Sequence, residues 1–460
     1  KREPLGFEEE DDYLDWSERV HFVSSFNLKL TPPKKLPSRI VSPREYRKWP
    51  VIGRRLNRIN STTSIDPRPL DIKPVGIEIL DKRSGHLDLI KIKKEILWST
   101  SKLNKWIQCP RRGWLESELY LSKDETIDED LDVRIRGKTL HDSFAELICS
   151  QLGFELGGER TNHSIKNISA SGITIENLMS EFVKILSSKT ALQWLWRNDA
   201  MAVHRRRDFI GMSLPEFETW WEDDNPPITP KGRLGQMLIS EFAINDSINL
   251  SFEWEFGIKK QILIEISESG KVEKFPLRGW IDRVDLVPFE DGTFYNENGD
   301  DTPAPFFLDG WQPSRLILIR DTKSVEGPSK ERSGEKHEKG IFEDIQLALY
   351  ARAWELANPG DLVIGVGISE AGDFTKHYLE VDPEYQNYLS SINVGILTNL
   401  THEMYRFPQE SLPPKSNPFR AWIYWKTKIA LKASKFAEKG HVYPTPGKYC
   451  DHCAVKNICR

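Results

Sequence analysis

Leu316 to Ile319 is an unbroken apolar run, rich in β-branched side chains, and it ends in Asp321-Thr322-Lys323. It is long enough for a buried strand and too short for a helix of its own. Side chains on a strand alternate between faces, so Asp321 and Lys323 share one face and Thr322 takes the other. A carboxylate beside an ammonium at the end of a buried strand suits metal-assisted chemistry. The carboxylate holds a divalent cation, while the lysine orients a water and offsets developing negative charge. The same tripeptide also reads as a surface ion pair at a strand end, and alone it favours that plainer reading. The rest of the chain shifts the balance.

A second carboxylate sits in comparable surroundings. Phe252, Trp254, Phe256 and Ile258 alternate, as do Ile262, Ile264 and Ile266, before a turn at Ser267–Lys271. The returning strand runs from Leu277 to Val287. It places Asp282 and Val284 on one face and Ile281 and Arg283 on the other, with Gly279 allowing close backbone approach. A polar loop over residues 289–314 lets this strand lie beside the Arg315 strand, bringing Asp282 near Asp321. A helix is expected over Phe342–Leu356 with Gln346 and Tyr350 on one face. A further strand follows at Asp361–Ile368, then helical stretches to about Phe407 and over Phe419–Lys439. This order predicts an α/β core with a mixed central sheet flanked by helices.

Upstream, Ser99 begins a helix that runs into Cys109-Pro110, where proline ends it and leaves the thiol near an end. Arg136-Gly137-Lys138 reads as a turn into a second helix with His141 in its first turns; such a histidine is more often packed or capping than a ligand. Residues 150–250 read as a mainly helical insertion. Within it His204 to Arg207 is a basic cluster among aromatics, fit either for phosphate contact with base stacking or for a solvated charge run. Residues 1–95 are rich in Pro, Lys, Arg and Ser and carry no assignable chemistry, a connector or the remnant of a preceding domain.

Five cysteines are present, and Cys450, Cys453 and Cys459 crowd into the last residues. An odd, clustered set does not read as a disulfide framework; it reads as an intracellular metal or cluster site. Three thiolates at this spacing fill three corners of a tetrahedral or cubane site. His452, Cys149 and Cys109 are candidates for the fourth, and Cys109 is the best placed. Cys149 otherwise reads as an ordinary buried thiol. The net charge of −5 means that any DNA-facing surface must be a local basic patch. No apolar run reaches membrane-spanning length, and no secretory signal opens the sequence, so an intracellular, cytoplasmic protein is expected. The start at Lys1 and the acidic run from Glu8 to Asp12 suggest a piece of a longer polypeptide.

Taken together, these segments resemble the RecB-like branch of the PD-(D/E)XK nucleases, and within it the iron–sulfur members such as the AddB nuclease domain and CRISPR-associated RecB-like nucleases. The resemblance covers residues 96–460, with 150–250 as the insertion. It rests on the Ser-led helix ending at Cys109-Pro110, Gly137 to His141, Gly279-x-x-Asp282-Arg283-x-Asp285, Asp321-x-Lys323, Gln346-x-x-x-Tyr350 and the terminal cysteines. Each motif is weak; their order together is specific. The resemblance implies a restriction-endonuclease-like mixed sheet and a Mg²⁺- or Mn²⁺-dependent DNA exonuclease. Asp282, Asp321, His141 and the Thr322 carbonyl would be metal ligands, and Lys323 would position water. Gln346 and Tyr350 would steady the lysine or contact the phosphate backbone. It further implies a 4Fe-4S cluster on Cys109, Cys450, Cys453 and Cys459, with zinc second. DNA, expected as single-stranded ends, and a helicase domain or subunit would be the partners, in processing of double-strand breaks. The alternatives are a catalytically silent DNA-binding scaffold subunit of the same fold, ranked low because the acidic ligands and the lysine are all present, and a CRISPR-associated nuclease.

Overall fold

The computed structural model describes residues 96–121, 133–161, 168–189, 232–243, 247–268, 270–289, 291–323, 338, 340–370, 377–389, 395–398, 417–442, 444–445 and 447–456. The expectations for residues 1–95, for the basic cluster His204–Arg207 and for Cys459 fall outside these residues. The chain divides into two compact units. One comprises Thr126–Ile429; the other joins Lys1–Glu125 with Ala430–Arg460.

The first unit is built on a six-stranded sheet in the order β1-β4-β5-β6-β7-β8. Its strands are β1 (Ile248–Phe256), β4 (Gly279–Val287), β5 (Arg315–Lys323), β6 (Asp361–Glu370), β7 (His377–Val381) and β8 (Ile396–Thr398). β5 and β6 pair in parallel, as do β7 and β8, whereas β1–β4, β4–β5 and β6–β7 are antiparallel. The parallel β5–β6 pair requires a crossover, and helix α6 (Gln346–Ala357) supplies it. The apolar run expected to be a strand is the centre of this sheet: Leu316, Ile317, Leu318 and Ile319 are fully buried. Burying each contributes about 1.5–3 kcal/mol. All ten residues of β6 are buried as well, as expected for a strand covered on both faces. The expected mixed central sheet flanked by helices is therefore present, an architecture consistent with the restriction-endonuclease-like fold.

Helices α3 (Val133–Leu152), α4 (Ile175–Ser188) and α5 (Arg233–Ala243) precede the sheet. Leu147, Ile148, Leu178, Phe182 and Leu238 from these helices close a core with Phe252 of β1. Cys149 belongs to it, and burial pushes its thiol up to about 12. Thr174 caps α4 through its hydroxyl, which accepts the Asn177 N–H at 3.3 Å. Arg420, at the start of helix α7 (Pro418–Glu438), belongs to this unit, and its guanidinium forks onto the fully buried Glu355 at 2.6 and 3.2 Å. The Arg420 guanidinium also donates to the Pro305 and Phe306 carbonyls.

Four local expectations are corrected. The turn expected at Arg136–Lys138 is helical, since α3 already begins at Val133, and His141 lies in mid-helix rather than in its first turns. Glycine inside a helix costs only about 1 kcal/mol and does not by itself end one. The single strand expected over Leu277–Val287 is two. β2 (Ile262–Glu268) and β3 (Lys271–Leu277) form a separate hairpin, and at Arg278 the chain leaves β3 for β4. The helix expected over Phe342–Leu356 is interrupted at Asp344–Ile345. There the Asp344 carboxylate takes the N–H of Gln346 at 2.9 Å and a new helix starts. The helical stretch expected after β6 instead contains β7 and β8 among the described residues. His377–Val381 is short and pairs along β6 from Gly365 to Ser369, so long-range pairing decided its state.

In the other unit, α1 (Thr100–Gln108) is capped by Ser99, whose hydroxyl accepts the Lys102 N–H, and α2 (Pro110–Ser117) follows directly. Cys109 is the hinge between them, with Pro110 at the first position of α2, where its missing N–H costs nothing. Trp98 and Trp106 meet edge to face at 6.4 Å. Gly113 is required under Trp106, because a Cβ there would lie 2.5 Å from the indole. Arg111 ties α2 to the C-terminal segment by donating to the Val442 carbonyl at 2.8 Å.

Candidate active site

β4 and β5 run antiparallel with Arg283 opposite Arg320 and Val284 opposite Ile319. One step further along this register sets Asp282 against Asp321. The Thr322 N–H donates to Asp282 Oδ2 at 2.8 Å, locking the two strand ends together. Gln346, at the start of α6, donates through Nε2 to Asp321 Oδ1 at 2.9 Å, which places α6 on the same face of the sheet. Lys323 Nζ is ion-paired with Asp321 Oδ2. His141 reaches this face from α3, with Nδ1 3.8 Å from Asp282 Oδ2. The structure therefore brings together His141, Asp282, Asp321, Lys323 and Gln346 around the end of β5.

Tyr350 stands one turn along α6 from Gln346. Its ring is buried, edge to face with Phe256 at 5.6 Å. Gly279 makes this possible, since a Cβ there would meet Phe256 at 2.8 Å and Tyr350 at 3.0 Å. The glycine at the head of β4 thus sets how closely α6 approaches the sheet.

The electrostatics are those of two acids crowded into a protein-walled site. Burial raises the Asp282 pKa well above the ordinary carboxylate range; the charges of Asp321 and Glu253 add to it, and the Thr322 N–H only partly offsets them. Burial draws the His141 imidazole down to about 4, so it is neutral at physiological pH with an unprotonated nitrogen to offer. Its Nε2 is buried and makes no hydrogen bond. Burial pulls Lys323 down too, but Asp321, then Asp282 and Asp344, outweigh it, and the amine is held protonated. The lysine side chain is 42% exposed, so the site opens to solvent at this end.

Glu253 is the residue that sequence reasoning missed. The β1–β4 register pairs Phe252 with Arg283 and Trp254 with Ile281, which sets Glu253 opposite Asp282. Its φ is +50°, an uncommon conformation for a non-glycine residue and rarer still within a strand. Burial, then Asp142 and Asp321, raise its pKa to about 7. Between two aromatics in an alternating strand it looked like an ordinary outward polar residue; only the register with Asp282 reveals it.

The opposite face of the same strands is structural. Arg283 donates to both oxygens of Asp285 at 2.9 Å and pairs with Glu241, and Asn249 donates to Glu241 and Asp285 at 3.1 Å. All are buried. The Asp282-Arg283-x-Asp285 segment thus sends one acid to the site and uses the other two residues to pin β4 from behind.

Among the described residues, no group of three or more His, Cys, Asp or Glu side chains meets the geometry of a metal site. The donor chemistry nevertheless fits a hard divalent cation. Two carboxylates repel one another on adjacent strands, a neutral imidazole has its buried Nε2 unsatisfied, and oxygen donors predominate.

In the other unit Cys109, Cys450 and Cys453 are free thiols. The Thr445 N–H lies 3.4 Å from Cys109 Sγ and the Gly447 N–H 3.4 Å from Cys450 Sγ. Burial raises the Tyr449 pKa, and Cys109, Cys450 and Cys453 add to the shift. Cys109 thus lies against the C-terminal segment at Thr445, and among the described residues these thiols do not meet the geometry of a metal site.

Residues 307–460 match the model of the PD-(D/E)XK nuclease superfamily. Over this stretch the chain is similar to PD-(D/E)XK nuclease superfamily domains. The match spans about a third of the chain and holds Asp321, Lys323, Gln346, Tyr350 and the terminal cysteines; His141, Asp282 and Cys109 lie upstream of it. The match suggests a nuclease, and PD-(D/E)XK nucleases generally use divalent metals. Among curated proteins, none matches the chain. Among the described residues no helix is long and apolar enough to cross a membrane.

Proposed function

We propose that this chain is a divalent-cation-dependent DNA exonuclease, the nuclease part of an AddB-like helicase–nuclease that processes double-strand breaks inside the cell. The observation that carries the reading is the placement of Asp282 against Asp321 on adjacent strands with Lys323 on the same face. Asp282, Asp321, the Thr322 carbonyl and His141 hold Mg²⁺ or Mn²⁺, which supplies Lewis acidity toward the scissile phosphate and the attacking water. Gln346 fixes the Asp321 carboxylate through the oxygen that Lys323 does not use. Lys323, held as an ammonium, is a donor rather than a base: it orients the water and offsets the charge that grows on the phosphate. Hydrolysis forms a bond from water oxygen to phosphorus and breaks the bond to the leaving sugar oxygen; the water gives up a proton to solvent and the leaving oxygen takes one from solvent. Tyr350 keeps α6, and with it Gln346, at its distance from β4.

Cys109, Cys450, Cys453 and Cys459 hold a 4Fe-4S cluster with a structural role in the second unit. The backbone N–H groups directed at two of the sulfurs support this reading. The activity is tested by incubating the purified chain with Mg²⁺ and single-stranded DNA labelled at either end. Stepwise shortening from one end is expected. Complete stability of both labelled strands contradicts the proposal.

A further inference from the structure

Trp280 is an indole left in solvent beside the site. It is 44% exposed, although the strand that bears it is otherwise largely buried. It stands two residues before Asp282, so the two side chains share a face of β4, roughly 7 Å apart along the strand. The register sets it opposite Glu255 on β1. Three cations flank this end of β4 in sequence or through the strand register. Arg278 is exposed two residues earlier, and Lys259 and Lys260 are exposed in the loop that leaves β1. That loop is held against the start of β4 by Gly257, whose φ is +80°; a Cβ there would strike the Leu277 carbonyl at 2.0 Å. Among the described residues no carboxylate is paired with Arg278, Lys259 or Lys260, in contrast to Lys274 on the neighbouring hairpin, which faces Glu265.

We infer that Trp280 is a stacking platform for one unpaired nucleobase of the strand being cut, with Arg278, Lys259 and Lys260 holding the phosphates on that side. The inference rests on the nuclease reading of Asp282 and Asp321. Aromatic faces interleaved with unpaired cations are how proteins grip single strands without reading sequence, because every base presents a π-face. The spacing from Trp280 to Asp282 is the scale of one extended nucleotide, so a base on the indole leaves a neighbouring phosphate at the carboxylates. A base inside a duplex is already stacked on both sides and cannot use the platform. The site therefore favours an unpaired or frayed end, and tolerates any base there.

The test is a double-mutant cycle between residue and base. Mg²⁺-dependent cleavage is measured for wild type, Trp280→Leu and Trp280→Phe on single-stranded oligonucleotides carrying one abasic site at successive positions from the end. For Trp280→Leu, kcat/KM on the intact strand should fall roughly 5- to 150-fold, the range of one base–aromatic stack, mainly through KM. Wild type should suffer a comparable loss at one abasic position, and combining the two should add nothing further. Trp280→Phe should recover most of the activity. Equal activity of Trp280→Leu and wild type, or losses that simply add at every position, overturns the inference. A wild-type chain that cleaves no strand at all overturns the nuclease reading instead, and shows itself before any variant is compared.

Discussion

Asp282 and Asp321 face one another across β4 and β5, and the Thr322 N–H that follows Asp321 in the chain is hydrogen-bonded to Asp282 at 2.8 Å. Two acids that repel are therefore fixed in place by a backbone contact between the strands that carry them. The strain is electrostatic, and a cation relieves it.

Lys323→Ala should lower kcat by about 10²–10⁴-fold, the range for a single positioned proton-transfer or charge-stabilising group. KM for DNA should change little, because the lysine is ion-paired with Asp321 rather than placed to grip a strand. Steady-state kinetics decide this; a loss confined to KM would assign Lys323 to binding.

Glu253→Gln should stabilise the metal-free protein at pH 8 and have much less effect at pH 5. The folded state holds the Glu253 proton up to about pH 7, whereas the unfolded chain releases it near 4.5. Folded stability therefore falls as pH rises through that window, and the penalty is complete above it. Glutamine carries no such penalty. Urea midpoints in EDTA at the two pH values measure the gap, on the order of 1–3 kcal/mol at pH 8. The same gap at both values would show that Glu253 is not strained by its charge.

Arg420→Met should destabilise the protein by about 3–5 kcal/mol. It leaves Glu355 buried without its bidentate partner and strips a donor from the Pro305 and Phe306 carbonyls. Pairing it with Glu355→Leu should recover part of the loss. Denaturant melts of the single and double variants check the sign of that coupling.

Cys453→Ser should remove visible cluster absorbance and lower the melting temperature while leaving Asp282 and Asp321 unaltered. Anaerobic purification with iron, sulfide and zinc analysis is the measurement. A colourless wild type with stoichiometric zinc would replace the cluster by a zinc site.

Much of this site is legible in the sequence because its signals are local. The run Leu316–Ile319 can only be a buried strand, alternation then orients Asp321 and Lys323, and the same logic orients Asp282. Adjacency of the two strands follows from the polar loop between them. What stays hidden is set by partners distant in sequence. Glu253 gains its meaning from register with Asp282, and β7 from pairing with β6. At the break near Arg278 Gly257 packs closely on Leu277, a contact that no alternation pattern records. Gly137 misleads because a glycine that looks like a turn is tolerated within a twenty-residue helix held by tertiary contacts.

The most direct measurement is Mg²⁺-dependent cleavage of end-labelled single-stranded DNA by wild type beside Asp321→Ala and Asp282→Ala, with DNA binding in EDTA and thermal unfolding followed in parallel. Cleavage by wild type, lost in both variants while fold and binding persist, is the predicted result. Cleavage that survives in either folded variant would contradict the assignment of this carboxylate pair as the catalytic centre.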